Sequence, residues 1–190
     1  MGRVIYSMSV SLDGFVETAD RSLDWVLVDD ELHAVFNDEA REVSAFLYGR
    51  RMYDLMTDYW PTAESDPAAT PVMVDFARIW KDKPKIVFSR TLERVRRNSR
   101  LVRGDATAEV ARLKAQPGYD MSVGGPATAA TLLRAGLIDE VRAFVQPVIL
   151  GAGTPFLPSL EDRIELRLLE TRTFDSGVVF LRYETTRRPG

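Results

Sequence analysis

Short apolar runs recur along the chain at the length of buried strands. Residues 3–10 are mostly apolar and predict a first strand, which the Asp13-Gly14 pair ends in a turn. Similar short runs predict further strands at residues 45–48, 85–88, 101–102 and 119–123. These segments therefore supply the strands of a buried sheet.

Apolar residues at helical spacing lie between these runs. Leu32, Val35 and Phe36 follow the acidic pair Asp29 and Asp30, which suits a helix N-terminus. Further helices are predicted at residues 50–56, 72–80, 107–115 and 127–135. Residues 17–28 and 57–71 are expected to form loops.

The last third of the chain has a different pattern. A long strand is predicted at residues 140–150, and residues 164–173 and 178–186 alternate around a turn at 175–177, as in a β-hairpin. Strand–helix alternation followed by antiparallel strands predicts an α/β fold: one mixed sheet with helices on both faces and a C-terminal antiparallel hairpin. The 190 residues match one domain, which we expect to span residues 1–190.

Composition narrows the chemistry that the chain can perform. It has no cysteine, which excludes disulfides, thiolate zinc sites, iron–sulfur clusters and a cysteine nucleophile. The single histidine, His33, leaves no multi-histidine metal site within one chain, and a Ser-His-Asp triad would have to use it. We therefore expect no metal site, and chemistry that carboxylates or a cofactor carry.

Charge and hydropathy favour a soluble, cytoplasmic protein. The net charge of -3 argues against nucleic-acid binding by the molecule as a whole. Residues 12–66 are rich in acids and residues 81–103 are rich in bases, a pattern that suits either solvated surfaces or a local anion site. No run approaches the roughly 18 residues of a membrane helix, and the N-terminus leads directly into a strand without a signal peptide.

Three predicted strand ends carry groups that suit a phosphate. In open α/β sheets, ligands bind at the carboxyl ends of strands. Gly49, Arg50 and Arg51 come where a strand meets a helix, so that free backbone N–H groups and two guanidinium groups lie together. Ser89 and Arg90 end another strand and suit a phosphate monoester, although a capped turn accounts for them equally well.

The third strand end is a glycine turn that leads into a helix. Gly124 and Gly125 would let the backbone approach a pyrophosphate, and Pro126, Ala127 and Thr128 open the helix that follows. The stretch does not match G-x-G-x-x-G, so an ordinary dinucleotide fold is not indicated. Taken together, the three strand ends favour a nucleotide-binding cradle.

The chain resembles the dihydrofolate reductase-like superfamily, and most closely the branch that contains the C-terminal domain of the riboflavin-biosynthesis reductases. The resemblance runs nearly end to end and rests on five stretches in family order, which are Ser9–Phe15, Leu47–Tyr53, Lys85–Leu92, Val123–Leu133 and Gln146–Gly153. It implies NADPH as the hydride donor, bound by the three strand ends just described. It also implies that the Gly124–Gly125 peptide bond is cis, as in dihydrofolate reductases, and that the protein is a homodimer.

The resemblance gives a less complete substrate site. Trp25 and Asp30 have the spacing of the tryptophan and acid that hold the pterin ring in dihydrofolate reductases, although a helix-start acid beside a loop tryptophan has the same spacing. Asp13 lies in the stretch that resembles the loop over the nicotinamide, although an Asp-Gly turn also accounts for it. Trp60 is a candidate pocket wall, although an aromatic residue before a proline also suits packing. Val123 stands where the riboflavin-pathway reductases carry a substrate-binding glutamate, which puts their substrate in doubt.

Two functions therefore stay open. The first is an NADPH-dependent reductase of a small pterin- or pyrimidine-like heterocycle, with Asp30 and Asp13 as candidate catalytic residues and with Trp25, Trp60 and Val123 at the substrate. The second is a non-catalytic module on the same fold that binds a nucleotide or small ligand. Neither requires a nucleic acid or a membrane as partner.

Overall fold

The computed structural model describes residues 1–96 and 98–186, so that Arg97 of the basic stretch lies outside it. The described helices are α1 Asp30–Glu42, α2 Arg50–Tyr59, α3 Pro71–Asp82, α4 Ala106–Lys114 and α5 Pro126–Arg134, with a 3-10 turn at Ala63–Ser65. The described strands are β1 Val4–Ser11, β2 Phe15–Thr18, β3 Ala45–Gly49, β4 Lys85–Phe88, β5 Ser99–Val102, β6 Met121–Gly124, β7 Glu140–Gln146, β8 Gly153–Pro155, β9 Glu165–Thr173 and β10 Val179–Thr186.

Eight strands form the main sheet in the order β5-β4-β3-β6-β1-β7-β10-β9. The first six are parallel to their neighbours, and β10 runs antiparallel to both β7 and β9. Strands β4, β3, β6, β1 and β7 therefore end side by side at one edge of the sheet, which we call the strand-end edge. The predicted mixed sheet with a C-terminal antiparallel hairpin is confirmed.

Helices cover both faces of the sheet, so that its central strands are buried on both sides. In β1 the side chain of Tyr6 joins a core cluster with residues of α4 and α5, such as Val110 and Leu132. The neighbouring Ile5 points the other way and joins a cluster that includes Ala40 of α1 and Phe76 of α3. This two-sided burial explains why β1, β3 and β4 read as continuous apolar runs rather than as alternating ones.

Two short strands of the structure were not predicted from the sequence. Strands β2 and β8 form a separate antiparallel pair in which Phe15 lies opposite Pro155 and Thr18 lies opposite Gly153. They have four and three residues and pair across more than 130 positions of the chain. Their formation therefore depends on tertiary contact and leaves no periodic pattern for sequence analysis to detect.

The remaining differences are in element length. The strand predicted at residues 140–150 ends at Gln146, because Pro147 has no N–H to continue the ladder. Helix α2 continues to Tyr59, beyond the predicted end at Met56. Within the described residues, no helix is long and apolar enough to cross a membrane.

Candidate functional site

A cavity of about 410 Å³ lies at the strand-end edge, and the first residues of α2 and α5 line it. We call it the glycine cavity. Eight of its lining residues were predicted to hold a cofactor, namely Gly49, Arg50, Arg51, Gly124, Gly125, Pro126, Ala127 and Thr128. The structure thus brings together two of the three strand ends singled out in the sequence.

Glycine is required in this cavity because the two helix starts lie against each other. A Cβ on Gly49 would lie 2.9 Å from the Thr128 hydroxyl, and one on Gly124 would lie 2.8 Å from the Tyr48 ring. Gly49 and Gly125 are the N-caps of α2 and α5, and neither helix start has a side-chain cap. The helix starts thus present backbone N–H groups toward the cavity that no capping side chain occupies.

The glycine turn is made by a positive φ and not by a cis bond. No peptide bond in residues 1–96 or 98–186 is cis, so the expected cis bond between Gly124 and Gly125 is wrong for this structure. Instead, Gly125 has a φ of 98°, in a region that residues with a Cβ rarely adopt. The chain reverses into α5 by this torsion.

Arg51 is already paired in the structure. Its Nη2 and Nε lie 2.5 and 3.0 Å from Oε2 of Glu17, a residue of β2 that is 8% exposed. The other carboxylate oxygen of Glu17 accepts a hydrogen bond of 2.7 Å from the Thr154 hydroxyl on β8. Sequence analysis missed Glu17, because the strand that carries it is too short to show a pattern.

The remaining predicted strand end, at Ser89 and Arg90, lies outside the glycine cavity. Ser89 Oγ accepts hydrogen bonds from the backbone N–H groups of Thr91 and Leu92, at 3.2 and 3.1 Å, as in a capped turn. Arg90 is exposed, and neither it nor Ser89 lines the cavity. Arg50 connects the two regions, since its Nη1 donates a hydrogen bond of 2.8 Å to the Thr91 hydroxyl.

A second cavity, of about 420 Å³, adjoins the first. We call it the aromatic chamber, because five rings contribute to its wall, those of Phe36, Phe46, Tyr48, Phe76 and Phe144. The two cavities share wall residues, namely Met8, Val16, Leu23, Met52 and Gly124. A ligand in one is therefore close to a ligand in the other.

Within the part of the chain that the structure describes, one carboxyl group lines the aromatic chamber, that of Glu39 on α1. Its Oε2 accepts a hydrogen bond of 2.9 Å from the Ser7 hydroxyl, and its Oε1 lies 3.0 Å from Nη1 of Arg142. Burial raises the pKa of Glu39, and the positive charge of Arg142 opposes this rise only in part. Sequence analysis did not single out Glu39.

The predicted catalytic acids lie elsewhere. Asp13 holds a turn: its carboxylate accepts hydrogen bonds from the Ser11 hydroxyl and from the backbone N–H groups of Leu150 and Gly151, which lower its pKa. Asp30 is exposed at the start of α1, where the neighbouring Asp29 is the N-cap. Neither Asp13 nor Asp30 lines either cavity.

Only one of the three predicted substrate residues lies at the aromatic chamber. Val123 lines it at the end of β6. Trp25 donates its indole N–H to the Ser22 carbonyl and lines neither cavity. Trp60 packs against His33 and Phe76, with ring centroids 5.9 and 4.4 Å away, and so supports the chamber wall from behind.

The family's sequence pattern, described as the RibD C-terminal domain, matches residues 3–180. The chain belongs to the RibD C-terminal domain family. This confirms the resemblance inferred from the five stretches. A relative in the same size range is the Bacillus subtilis protein YyaP, named only as uncharacterized, which is 36% identical over 185 residues that cover 95% of this chain and 94% of YyaP.

Solved structures agree with the family in fold. A protein from Shewanella sp. PV-4 that is assigned to riboflavin biosynthesis by name alone superposes with a TM-score of 0.77 at 22% identity, covering 98% of this chain and all of that one. Dihydrofolate reductase from Enterococcus faecalis, solved with NADP(H), superposes with a TM-score of 0.65 at 13% identity and 98% coverage of both chains. This RibD C-terminal domain protein therefore has a dihydrofolate reductase-like fold.

Proposed function

We propose that the protein is an NADPH-dependent reductase of a small pterin- or pyrimidine-like heterocycle. One observation carries the proposal: the glycine cavity and the aromatic chamber meet at a shared wall on the strand-end edge. A reductase must hold two flat rings with the reacting atoms about 3–3.5 Å apart. Adjoining cavities, one suited to phosphates and the other lined by rings, support the proposal because they would hold a cofactor and a substrate side by side.

The glycine cavity fits the cofactor chemically. Two helix N-termini without side-chain caps suit a pyrophosphate, and Gly124 and Gly125 leave the backbone open to it. Arg50 and Arg51 add positive charge. When bound, NADPH supplies a hydride from its nicotinamide ring, so that the protein contributes orientation and electrostatics and needs neither a thiol nor a metal.

Arg51 and Arg90 are the two candidate ligands of the 2′-phosphate of NADPH, and their surroundings differ. Arg51 lines the glycine cavity and Arg90 does not. We therefore assign the 2′-phosphate to Arg51, which would exchange Glu17 for the phosphate. Glu17 would then keep only the Thr154 hydroxyl as its partner. Arg51 would therefore contribute less to NADPH affinity than an arginine that is unpaired before binding.

Titration with NADPH and NADH, followed by quenching of nicotinamide fluorescence, tests the assignment. Arg51→Ala should weaken NADPH binding by about tenfold more than NADH binding, since charge-assisted bonds to a phosphate contribute roughly 1.5–3 kcal/mol before the Glu17 offset. Arg90→Ala is the matched control and should leave both affinities unchanged. Equal losses for the two nucleotides in Arg51→Ala would refute the assignment.

The second candidate is a non-catalytic binding module on the same fold. Val123 favours it, because it lines the aromatic chamber where the resembling reductases carry a substrate-binding glutamate. Mixing the protein and NADPH with pterins, pyrimidines and quinones discriminates between the two. NADPH oxidation with any of these supports the reductase, whereas tight NADPH binding without oxidation by any of them supports the module.

A further inference from the structure

Three arginines line the glycine cavity, and two of them already have acidic partners. Arg51 forms an ion pair with Glu17, and Nε of Arg50 lies 3.5 Å from Oδ2 of Asp54. The third, Arg21, is exposed, and its guanidinium group makes no hydrogen bond or ion pair with any residue in the described ranges 1–96 and 98–186. Arg21 is therefore the cavity cation whose charge no carboxylate neutralises.

The main chain holds Arg21 in a tight turn at the end of β2. Its N–H donates a hydrogen bond of 2.9 Å to the Thr18 carbonyl, and the N–H of Ser22 donates one of 2.8 Å to the Thr18 hydroxyl. The carbonyl of Arg21 accepts a hydrogen bond of 3.3 Å from Nη2 of Arg51. The Arg21 side chain thus projects from a fixed point on the wall that β2 contributes to the cavity.

Arg21 also has a backbone conformation that arginine rarely adopts. Its φ is 68°, in the left-handed region, which strains a residue that carries a Cβ. Among the described residues one other non-glycine has a positive φ, Asn98, and there the side chain supports the turn, since its Nδ2 donates to the carbonyl groups of Lys81 and Asp82 at 3.2 and 2.6 Å. The side chain of Arg21 makes no such bond, so the fold does not account for an arginine at this position. Backbone strain at a residue without a structural role is typical of a ligand site.

We infer that Arg21 is a phosphate ligand of the glycine cavity, and that it binds the pyrophosphate bridge of the cofactor from the β2 side while the starts of α2 and α5 bind it from theirs. The inference rests on the proposed function for calling this ligand a dinucleotide. Arg21 can pair with a phosphate without first breaking an ion pair, whereas Arg51 must release Glu17. Because NADPH and NADH share the pyrophosphate, Arg21 contributes to the binding of both, whereas Arg51 distinguishes them.

Calorimetric titration with NADPH and with NADH tests this role. Arg21→Asn removes the charge, and asparagine tolerates the left-handed region, so that the variant should fold. It should weaken the binding of both nucleotides by about tenfold, because charge-assisted hydrogen bonds to a phosphate are lost. Arg21→Lys keeps the charge and should retain most of the affinity.

Arg134→Asn is the matched control for the loss of one positive charge. Arg134 is exposed at the last residue of α5, the end of that helix away from the cavity, so that this variant should bind both nucleotides like wild type. Unchanged affinities in Arg21→Asn would overturn the inference. A loss of affinity for NADPH alone would also overturn it, because the phosphate concerned would then be the 2′-phosphate.

Arg21→Gly separates ligand binding from support of the turn. Glycine adopts a φ of 68° without strain, so that the thermal midpoint of this variant should equal or exceed that of wild type, while its nucleotide affinity should fall as in Arg21→Asn. A lower midpoint together with wild-type affinity would show that Arg21 supports the turn and not the ligand, and would overturn the inference.

Inorganic pyrophosphate makes failure of the inference distinguishable from failure of the proposed function. At millimolar concentration it should raise the thermal midpoint of wild type and of Arg134→Asn more than that of Arg21→Asn. This result in a protein that binds neither NADPH nor NADH would refute the reductase and keep Arg21 as a phosphate ligand. Binding of both nucleotides and NADPH oxidation that Arg21→Asn leaves unchanged would keep the reductase and refute the role of Arg21.

Discussion

The close approach of two helix starts accounts for the glycines of the site at the level of single residues. Gly124 faces the ring of Tyr48, which is 4% exposed and whose hydroxyl accepts a bond of 3.3 Å from the Trp80 indole. Tyr48 therefore has little room to move. The sequence predicted that these glycines matter for phosphate approach, but only the structure shows that packing alone already requires them.

Replacing Gly124 with alanine should destabilise the fold by about 1–3 kcal/mol, because the new Cβ would overlap the fixed Tyr48 ring. Chemical unfolding measures this change. Gly104→Ala is the control, since a Cβ at Gly104 meets open space and its φ is not in the left-handed region, so that its stability should stay within about 0.5 kcal/mol of wild type. Equal stability of the two variants would contradict the packing argument.

Residue-level signals also explain which site residues the sequence could reveal. Glu39 follows Phe36 by three positions on α1, and Leu32 and Ala40 on the same helix are buried. An acid at core spacing was therefore visible in the sequence, whereas Glu17 had no such signal. Asp30 has the family's spacing from Trp25, and Asp13 lies in a stretch that resembles the family's loop. In the structure Asp30 lies at a helix start and Asp13 in a turn, and their catalytic roles stay predictions.

At the level of elements, most helices and most strands of the main sheet follow from the sequence because they bury continuous or periodic apolar residues; strand β9, whose nine residues are exposed, follows only from its alternation beside the turn at 175–177. Helix α1 also has a local start signal, since Asp29 accepts a 2.8 Å hydrogen bond from the backbone N–H of Leu32. Strands β2 and β8 lack both kinds of signal. Glu17 lies on β2, so the sequence predicted neither this site residue nor the strand that carries it.

The two adjacent acids at the start of α1 should respond differently to substitution. Asp29→Ala removes the N-cap and should cost about 1 kcal/mol of unfolding free energy. Asp30→Ala, one residue on and exposed, should cost only a few tenths through the lost charge near the helix start. Urea titration compares the two. A larger loss in stability for Asp30→Ala than for Asp29→Ala would contradict the N-cap assignment, whereas a loss of NADPH turnover in Asp30→Ala would support the catalytic role predicted from the sequence.

For helix α4, stability should depend on pH through Glu109. Hydrogen bonds from Arg112, and after them from Arg100, lower the pKa of Glu109 to about 2. A lowered pKa stabilises the fold above the ordinary pKa of a glutamate, and this contribution is lost as the pH falls toward 2. The difference in unfolding free energy between wild type and Glu109→Gln should therefore be present at pH 7, about 1 kcal/mol or less, and shrink toward pH 2. A difference in unfolding free energy that does not change with pH would contradict a lowered pKa for Glu109.

At the scale of the whole molecule, strand β9 leaves an open sheet edge. All nine of its residues are exposed, and Leu166, Leu168 and Leu169 are 42, 51 and 40% exposed. An exposed edge with several leucines is a surface that proteins usually cover. The homodimer expected from the family resemblance would cover it.

Light scattering should accordingly give twice the chain mass of 21.4 kDa, and Leu168→Lys should shift the equilibrium toward the monomer. Leu160→Lys, at an exposed leucine outside the strands, is the control and should leave the mass unchanged. A monomeric wild-type protein at micromolar concentration would refute the homodimer.

The proposed function requires that the glycine cavity holds NADPH, and an added charge in that cavity tests this binding. Ala127 is exposed in the first turn of α5 and lines the cavity, whereas Ala108 is exposed in the first turn of α4 and does not. Glutamate at either position suits a helix start, so that both variants should fold. Calorimetric titration should show NADPH binding weakened at least about tenfold in Ala127→Glu, through repulsion of the phosphates, and unchanged in Ala108→Glu. Equal NADPH affinity in wild type and both variants would contradict the account.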